Sequence, residues 1–181
     1  EKINNKKRVF LNLIIIYLEI KLMKKTVLFD RHKKLNAKIV EFANYLMPIS
    51  YSSVNEEHLH IRNEVGVFDV SHMGEIEISG SNSLKFIQQI CSNDISKIKI
   101  GKAQYNCLTN DLGGIIDDLI VYRLEENKYL LVVNASNISK DLDWILKQNR
   151  EFNCSIVNIS DEVSLLAVQG PKAEELCQKF T

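Results

Sequence analysis

The chain has 181 residues, of which 45% are hydrophobic, and its 23 basic side chains balance its 23 acidic ones. This composition is sufficient for one domain with a substantial core. A net charge of zero, without a basic stripe interleaved with aromatics, argues against a nucleic-acid partner or an anionic membrane surface. The sequence contains no HExxH, CxxC or GxxxxGK[ST] motif, so it gives no support for a metal site or a phosphate-binding loop.

Residues 1–22 differ from the rest of the chain. An apolar run over residues 11–20 lies between lysine-rich flanks. The run is too short to span a bilayer, and it lacks the small residues of a signal-peptide cleavage site. The sequence therefore predicts that residues 1–22 are a non-native upstream extension, that Met23 is the natural start, and that residues 23–181 form the domain. A short membrane-associated helix is the alternative for this segment.

The rest of the chain mixes helix and strand patterns. A stripe of Leu35, Ile39, Phe42 and Ala43 predicts a helix over 30–43 that ends at Met47-Pro48. The other predicted helices cover 55–65, 81–91 and 137–150, with a last one from Gly170-Pro171; the predicted strands cover 75–79, 104–109, 115–124, 129–134, 157–160 and 163–169.

A hairpin between the strands over 115–124 and 129–134 favours an α+β fold over a strictly parallel sheet. The last helix reaches Thr181 without a C-terminal cap. This predicts that the chain is the front part of a longer protein.

Two adjacent carboxylates interrupt the most apolar run of the chain, residues 113–122. Neighbouring strand residues point to opposite faces, so Asp117 and Asp118 cannot act as one pair. Strand alternation places Asp118 with Ile116, Ile120 and Tyr122. An acid, an aromatic and two aliphatic side chains on one face would suit a flat heteroaromatic ligand with a polar nitrogen edge. A core in which the polar groups are satisfied is the alternative.

Asp69, Ser71 and His72 suggest a hydrolase, but three residues so close in sequence seldom converge as a catalytic triad, and no GxSxG elbow is present. A tight loop whose Ser and His bond to backbone is the preferred interpretation. Tyr105, Tyr122 and Asn134 lie in or next to apolar strand segments, either as core-edge residues or as ligand contacts.

Several motifs in order resemble a known family, the aminomethyltransferase (T-protein) of the glycine cleavage system. The match as a whole covers residues 23–181, and five motifs in order at family spacing are much more specific than any one alone. They are Phe68-Asp69-Val70-Ser71-His72-Met73-Gly74, Ser92-Asn93-Asp94, the run over 113–122, Val132-Val133-Asn134-Ala135 and Val168-Gln169-Gly170-Pro171.

The resemblance implies a tetrahydrofolate-dependent transferase. The one-carbon unit of an aminomethyl group carried on lipoylated H-protein would pass to tetrahydrofolate, giving methylenetetrahydrofolate, ammonia and dihydrolipoyl H-protein. It also implies duplicated ferredoxin-like βαβ-type units and a location in the cytoplasm, or in the mitochondrial matrix of a eukaryote. No metal, nucleic acid or membrane partner is implied. Family contacts to the folate lie beyond Thr181, so the chain alone is expected to be inactive.

Residue by residue, the resemblance assigns the catalytic role to Asp118, beside the folate's reacting nitrogen. Its other implied contacts to the folate come from Met73, packed on the pterin, and from Tyr105, Ile120, Tyr122 and Asn134 around the same pocket. Asn44 departs from the family, which has glycine there. Asn also tolerates a left-handed backbone, so the departure is minor.

Two relatives with other functions remain as alternatives. One is a non-catalytic folate-binding protein of the iron–sulfur-assembly type, although such proteins tend to lack the paired aspartates. The other is a folate-dependent demethylase module, which is usually fused to a flavin domain; no GxGxxG fingerprint precedes this chain. A pure interaction protein would not explain an acid on an apolar face of ligand size.

Overall fold

The computed structural model describes residues 23–180. The chain divides into two compact units, with the boundary between Asn63 and Glu64. The predicted upstream extension over residues 1–22 lies outside the described residues and remains a prediction.

The described part of the first unit combines a three-stranded sheet with two helices. The sheet order is β1-β3-β2, in which β1 is parallel to β3 and β2 is antiparallel to it. The elements are β1 (Lys24–Lys25), α1 (Phe29–Lys34), β2 (Lys38–Phe42), β3 (Tyr45–Ser50) and α2 (Val54–Asn63).

The prediction of a helix over 30–43 is wrong beyond Lys34. Asn36 has a φ of 57° and ends α1, and Ala43 and Asn44 have φ values of 50° and 65° at the tip of the β2–β3 hairpin. Two successive left-handed residues make the tight turn whose twist matches paired strands. Ile39 and Phe42 are therefore strand residues, and Pro48 lies within β3 rather than after a helix. Asn44 thus adopts a left-handed backbone, which asparagine tolerates.

The second unit is dominated by a five-stranded antiparallel sheet with the order β6-β7-β8-β5-β9. Short 3₁₀ turns cover Ile95–Lys97, Ala135–Asn137 and Asn149–Glu151. The longer elements are β4 (Gly66–Asp69), β5 (Gly74–Ser79), α3 (Ser83–Ile90), β6 (Lys102–Thr109), β7 (Ile115–Glu125), β8 (Lys128–Val133), α4 (Ile138–Gln148), β9 (Ser155–Asn158), β10 (Leu166–Gln169) and α5 (Ala173–Cys177).

Six of these elements form one ferredoxin-like unit. In chain order β5, α3, β7, β8, α4 and β9 follow the βαββαβ pattern, and their four strands have the antiparallel order expected of it. Strand β6 extends the sheet beside β7. The α+β prediction is confirmed, and the predicted elements from residue 54 onward are present with shifts of a few residues at their ends.

One face of this sheet, here called the inner face, forms the core with α3 and α4. Ile76, Leu119 and Leu131 from the strands belong to one buried cluster with Phe86 of α3 and Ile145 of α4. Each such side chain contributes roughly 1.5–3 kcal/mol through burial. The opposite face, here called the open face, carries the alternate residues of the same strands.

Gly74 at the start of β5 allows a close approach between sheet and helix. A Cβ at this position would lie 2.5 Å from Cγ1 of Ile138 and 2.8 Å from Cγ2 of Val133. Since neither contact is sterically possible, glycine is required for the first turn of α4 to pack on the sheet. This packing fixes where α4 begins, directly after Asn134 and the 3₁₀ turn.

A β-bulge lies at Ile116. Leu108 pairs with Asp117 but Thr109 pairs with Ile115, so Ile116 is the extra residue of β7. Its side chain packs against the core cluster. The prediction that Ile116 shares a face with Asp118 is therefore wrong, because simple alternation fails at the bulge.

Candidate functional site

The residue pairing of the sheet places two rows of side chains across the open face. In one row, Cys107 pairs with Asp118. Leu119 pairs with Val133, so Asn134, the residue after Val133, lies beside Asp118 in this row. In the next, Tyr105 pairs with Ile120, Ile120 with Val132, and Val132 with Glu75.

Tyr122 extends the open face, and Met73 lies in the turn just before β5. Tyr122 pairs with Ala103 and Leu130 in a third row, and Met73 directly precedes Gly74, which pairs with Val133. Strand pairing and the hydrogen bonds of Asn134 thus bring Tyr105, Asp118, Ile120, Tyr122 and Asn134 together, whereas Met73 lies in the turn that leads into β5. The sequence had predicted all six as site residues.

Asp118 is exposed on the open face and is oriented by two neighbours. The Tyr105 hydroxyl donates to Asp118 Oδ2 at 3.0 Å, and Asn134 Nδ2 donates to Asp118 Oδ1 at 3.0 Å. The same amide nitrogen lies 3.1 Å from the Asp118 carbonyl oxygen. The hydrogen bond to the Asp118 carboxylate raises the pKa of Tyr105, so this tyrosine stays a hydrogen-bond donor at neutral pH.

The Ser92-Asn93-Asp94 motif holds the strand that carries Tyr105. Asn93 Nδ2 donates to the Tyr105 carbonyl oxygen at 2.7 Å, and the Cys107 amide donates to Ser92 Oγ at 3.1 Å. Asp94 caps the following turn through the Ser96 amide. These bonds anchor β6 beside β7, which keeps the Tyr105 hydroxyl within reach of Asp118.

Asp117 points to the inner face and meets a second acid that sequence reasoning missed. Asp117 is 7% exposed and Asp141 of α4 is wholly buried. Burial alone would raise the pKa of Asp117, but its polar neighbours, among them Asp141 and the Asn134 amide that donates to Asp117 Oδ1 at 3.1 Å, hold it below its usual value. Burial, and then the neighbouring Asp117, raise the pKa of Asp141 to about 7. The signal was present in the sequence, because Asp141 lies on the helical stripe of Ile138, Leu142 and Ile145.

Glu75 is the other residue that sequence reasoning missed. It occupies the row of Tyr105 and Ile120 but is 1% exposed, and within the described residues its carboxyl oxygens have no hydrogen-bond partner. Burial raises its pKa to about 7. Alternation with Ile76 and Ile78 could have placed it on the open face, although not its depth.

The Ser71 loop is the tight turn that the sequence favours over a hydrolase site. Ser71 Oγ donates to the Leu165 carbonyl and accepts from the Leu165 amide, while the Ser71 amide donates to Asp69 Oδ1. Strand β10 pairs with β4 in the same region, with Val168 opposite Val67. Two distant motifs, one around Ser71 and one around Val168, are thus joined by strand pairing.

The open face offers a defined set of interactions to a ligand. Asp118 supplies a hydrogen-bond acceptor held by Tyr105 and Asn134, and Ile120 and Tyr122 supply apolar and aromatic surface beside it. Residues 23–180 contain no cluster of three or more His, Cys, Asp or Glu able to hold a metal ion. Among the helices of the same residues, none is long and apolar enough to cross a bilayer.

Comparisons with known proteins identify the family of the chain. The model of the GCVT N-terminal domain family matches residues 28–181. The chain is 55% identical to an aminomethyltransferase of Flavobacterium psychrophilum over 88% of its own length and 44% of that protein. It is 49% identical to an aminomethyltransferase of Thermus thermophilus, again over 88% of the chain and 46% of the relative.

A solved structure is also similar. The glycine cleavage system aminomethyltransferase T from Bartonella henselae matches with a TM-score of 0.80 and 37% identity, over 87% of this chain and 43% of that one. The chain therefore spans less than half the length of the relatives it matches. With a family model that extends over most of its residues, the chain belongs to the GCVT N-terminal domain family.

Proposed function

We propose that the chain is the N-terminal part of a glycine cleavage aminomethyltransferase, and that its open face forms one wall of a tetrahydrofolate site. In the proposed reaction the methylene carbon breaks its bonds to the lipoyl sulfur of H-protein and to the amine nitrogen, and it forms bonds to two nitrogens of tetrahydrofolate. Ammonia and the dihydrolipoyl arm are released. The activity would place the protein in the cytoplasm, or in the mitochondrial matrix if the source is eukaryotic.

The observation that carries the proposal is the position of Asp118. It is an exposed carboxylate that Tyr105 and Asn134 fix from two sides, and it lies next to the apolar side chain of Ile120. A carboxylate in this setting can accept a hydrogen bond from a ring or amine nitrogen and take part in moving its proton as the carbon is transferred. We assign this role to Asp118.

The other open-face residues have positioning roles in the proposal. Met73, Ile120 and Tyr122 would pack against the flat pterin ring, since thioether, aliphatic and aromatic groups all suit such a surface. Tyr105 and Asn134 would hold the Asp118 carboxylate toward the reacting nitrogen. Lipoylated H-protein is the proposed partner that delivers the aminomethyl group.

The test is a reconstituted transfer reaction with the protein at the length of its relatives. Aminomethyl-loaded H-protein and tetrahydrofolate are supplied, and methylenetetrahydrofolate and ammonia are measured, with each component omitted in turn. Formation of both products only in the complete mixture is expected. Folate binding without transfer would instead support the non-catalytic relative, and transfer from a methylated amine would support the demethylase module.

A further inference from the structure

Glu75 is a buried acid that the proposed reaction does not use. Its side chain is 1% exposed, and neither carboxyl oxygen has a hydrogen-bond partner among residues 23–180. The residues that pair with its backbone or bond to it are Val132, Ile159 and Ser160, and none of them carries a charge. A buried carboxyl group is unfavourable unless it is protonated or receives hydrogen bonds. Glu75 therefore needs either a proton or a partner.

Glu77, two residues further along β5, shows how the same strand accommodates an acid that has a partner. Alternation places it on the same face as Glu75. Its carboxylate lies 2.9 Å from Lys128 Nζ of β8, and both side chains remain partly exposed. Glu75 lies deeper in the structure than Glu77, and the described part of the chain gives it no such cation.

The surface beside Glu75 is apolar and only partly covered. The segment over 159–165 leads from the backbone of Glu75 into β10, which pairs with β4 in an antiparallel ribbon of two strands. Val67, Phe68 and Leu166 of this ribbon are 53%, 43% and 48% exposed. Because Val67 and Phe68 are neighbours on one strand, both faces of β4 reach solvent. A two-stranded ribbon is marginally stable until further residues pack on it.

The end of the described chain lies beside the same ribbon. Helix α5 follows β10, and Lys172 between them is tied to Glu64, just before β4. The Lys172 amide donates to the Glu64 carbonyl oxygen, and the two side chains form an ion pair. The matched relatives are more than twice as long as the segment they share with this chain. In a protein of that length, the residues after Thr181 begin close to the ribbon.

We infer that Glu75 and the β4–β10 ribbon form the docking surface for the residues that follow Thr181, and that an arginine of that downstream part pairs with Glu75. A guanidinium group fits because it can donate to both carboxyl oxygens at once. Apolar side chains of the downstream part would cover Val67, Phe68 and Leu166 around this pair. The inference rests on the proposed function only for the length of the protein, not for its reaction.

The first test measures the charge of Glu75 at two chain lengths by NMR of its carboxyl carbon. In the chain of 181 residues, burial raises the pKa of Glu75 to about 7, so the signal should titrate near neutral pH. In the protein at the length of its relatives, the paired cation should bring the pKa back to the ordinary value of 4.5 or lower. A midpoint near 7 at both lengths would overturn the inference.

The second test compares Glu75→Gln at the two lengths. At pH 8 the substitution should raise the melting temperature of the 181-residue chain, because it removes a buried charge that has no partner. In the longer protein it should lower the melting temperature by roughly 5 °C or more, because it leaves a buried cation unpaired. Glu77→Gln is the matched control, since Lys128 belongs to the chain itself. Its effect should be small and of the same sign at both lengths.

The remaining outcomes also decide the inference. A Glu75→Gln effect of the same sign at both lengths would contradict the pairing. Amide hydrogen exchange in β4 and β10 should slow in the longer protein, and unchanged exchange would contradict the docking surface. If Glu75→Gln prevents the longer protein from folding, the titration of the unmodified protein still gives the answer. None of these measurements uses transfer to tetrahydrofolate, so failure of the proposed reaction would leave them intact.

Discussion

The two faces of the five-stranded sheet are made by the same strands, yet they serve different purposes. On β7, Leu119 and Val121 are buried against the helices, while their neighbours Asp118 and Ile120 are exposed. The inner face thus holds most of the apolar burial, and the open face holds the carboxylate with its two hydrogen-bonding partners. Alternation along one strand separates the residues that stabilise the fold from those available for chemistry.

The largest expected effect is on chemistry and belongs to the open face. Asp118→Asn is isosteric, removes the charge and replaces one acceptor oxygen by a donor, so it should lower turnover by roughly a hundred- to ten-thousand-fold with the fold intact. Transfer assays at the length of the relatives, with circular dichroism for the fold, would measure this. Asp111→Asn, at an exposed acid in the turn before β7, serves as control. Near-normal turnover in Asp118→Asn would contradict the catalytic role assigned to Asp118.

Stability should respond to the inner face. Leu119→Ala deletes a side chain that is 2% exposed and should lower the free energy of unfolding by about 2–5 kcal/mol. The adjacent Ile120→Ala, at a side chain 37% exposed, should cost about 1 kcal/mol or less. Urea denaturation of the two variants compares the faces directly. Similar losses at both positions would mean that the open face is as well packed as the core.

Glu75 lies in the buried part of the open face, and its carboxyl group should make stability depend on pH. Its pKa is raised from 4.5 to about 7 by burial, which at about 1.4 kcal/mol per pH unit corresponds to roughly 3 kcal/mol. The folded state binds the proton more tightly than the unfolded chain, so this stabilisation is present below pH 4.5 and is lost as the pH rises to about 7.

Glu75→Gln should therefore flatten part of that decline and stabilise the protein at pH 8. Asp141 contributes a second decline in the same range, so some pH dependence will remain. Thermal or urea unfolding of both proteins between pH 4 and 8 measures the difference. An unchanged pH dependence in Glu75→Gln would show that this carboxyl is solvated.

The affinity of the chain for tetrahydrofolate tests how much of the folate site the open face supplies. The chain spans 44% of a relative's length, and the resemblance implies that contacts to the carboxylate tail of folate follow Thr181. Charge-assisted contacts of that kind are strong, so the chain should bind tetrahydrofolate at least about tenfold more weakly than the protein at the relatives' length. Calorimetry of both would measure this. Equal affinities would mean that residues 1–181 hold the whole site.

The smallest effect is expected from deletion of residues 1–22. This segment carries none of the family motifs and precedes the predicted start at Met23. Thermal melting of the chain from Met23 should match that of the full chain. A fall of more than a few degrees, equivalent to about 1 kcal/mol in a domain of this size, would show that the segment contributes to the stability of the fold.

Local patterns in the sequence were sufficient to predict that the two aspartates face opposite sides of the sheet, and the family resemblance selected Asp118 as the site residue. Alternation within the run over 113–122 separates Asp117 from Asp118, and the family motifs select the residues that the sheet gathers around Asp118. The same kind of reasoning failed at residues 36–44, because a stripe of Leu35, Ile39 and Phe42 fits a helix as well as it fits a hairpin. The left-handed conformations of Ala43 and Asn44 make this segment a hairpin, and neither residue predicts a turn as strongly as glycine.

The residues that were missed depend on contacts between distant parts of the chain. Asp141 meets Asp117 only because α4 packs across β7, and periodicity alone could mark it as an acid on a buried stripe but not name its partner. Glu75 is assigned to its face by alternation, yet its burial depends on the tertiary structure around it. Paired strands were therefore easier to infer than the packing between a helix and a sheet.

The bulge at Ile116 makes the outward direction of Asp118 independent of the turn before it. Side chains alternate between the two faces of a strand. One residue gained or lost upstream would otherwise exchange the faces to which Asp117 and Asp118 point. Because the extra residue is accommodated at Ile116, the pairing of Leu108 with Asp117 sets the phase of everything that follows. We therefore expect a change of one residue in the turn over 110–114 to be taken up at the bulge without reversing the site.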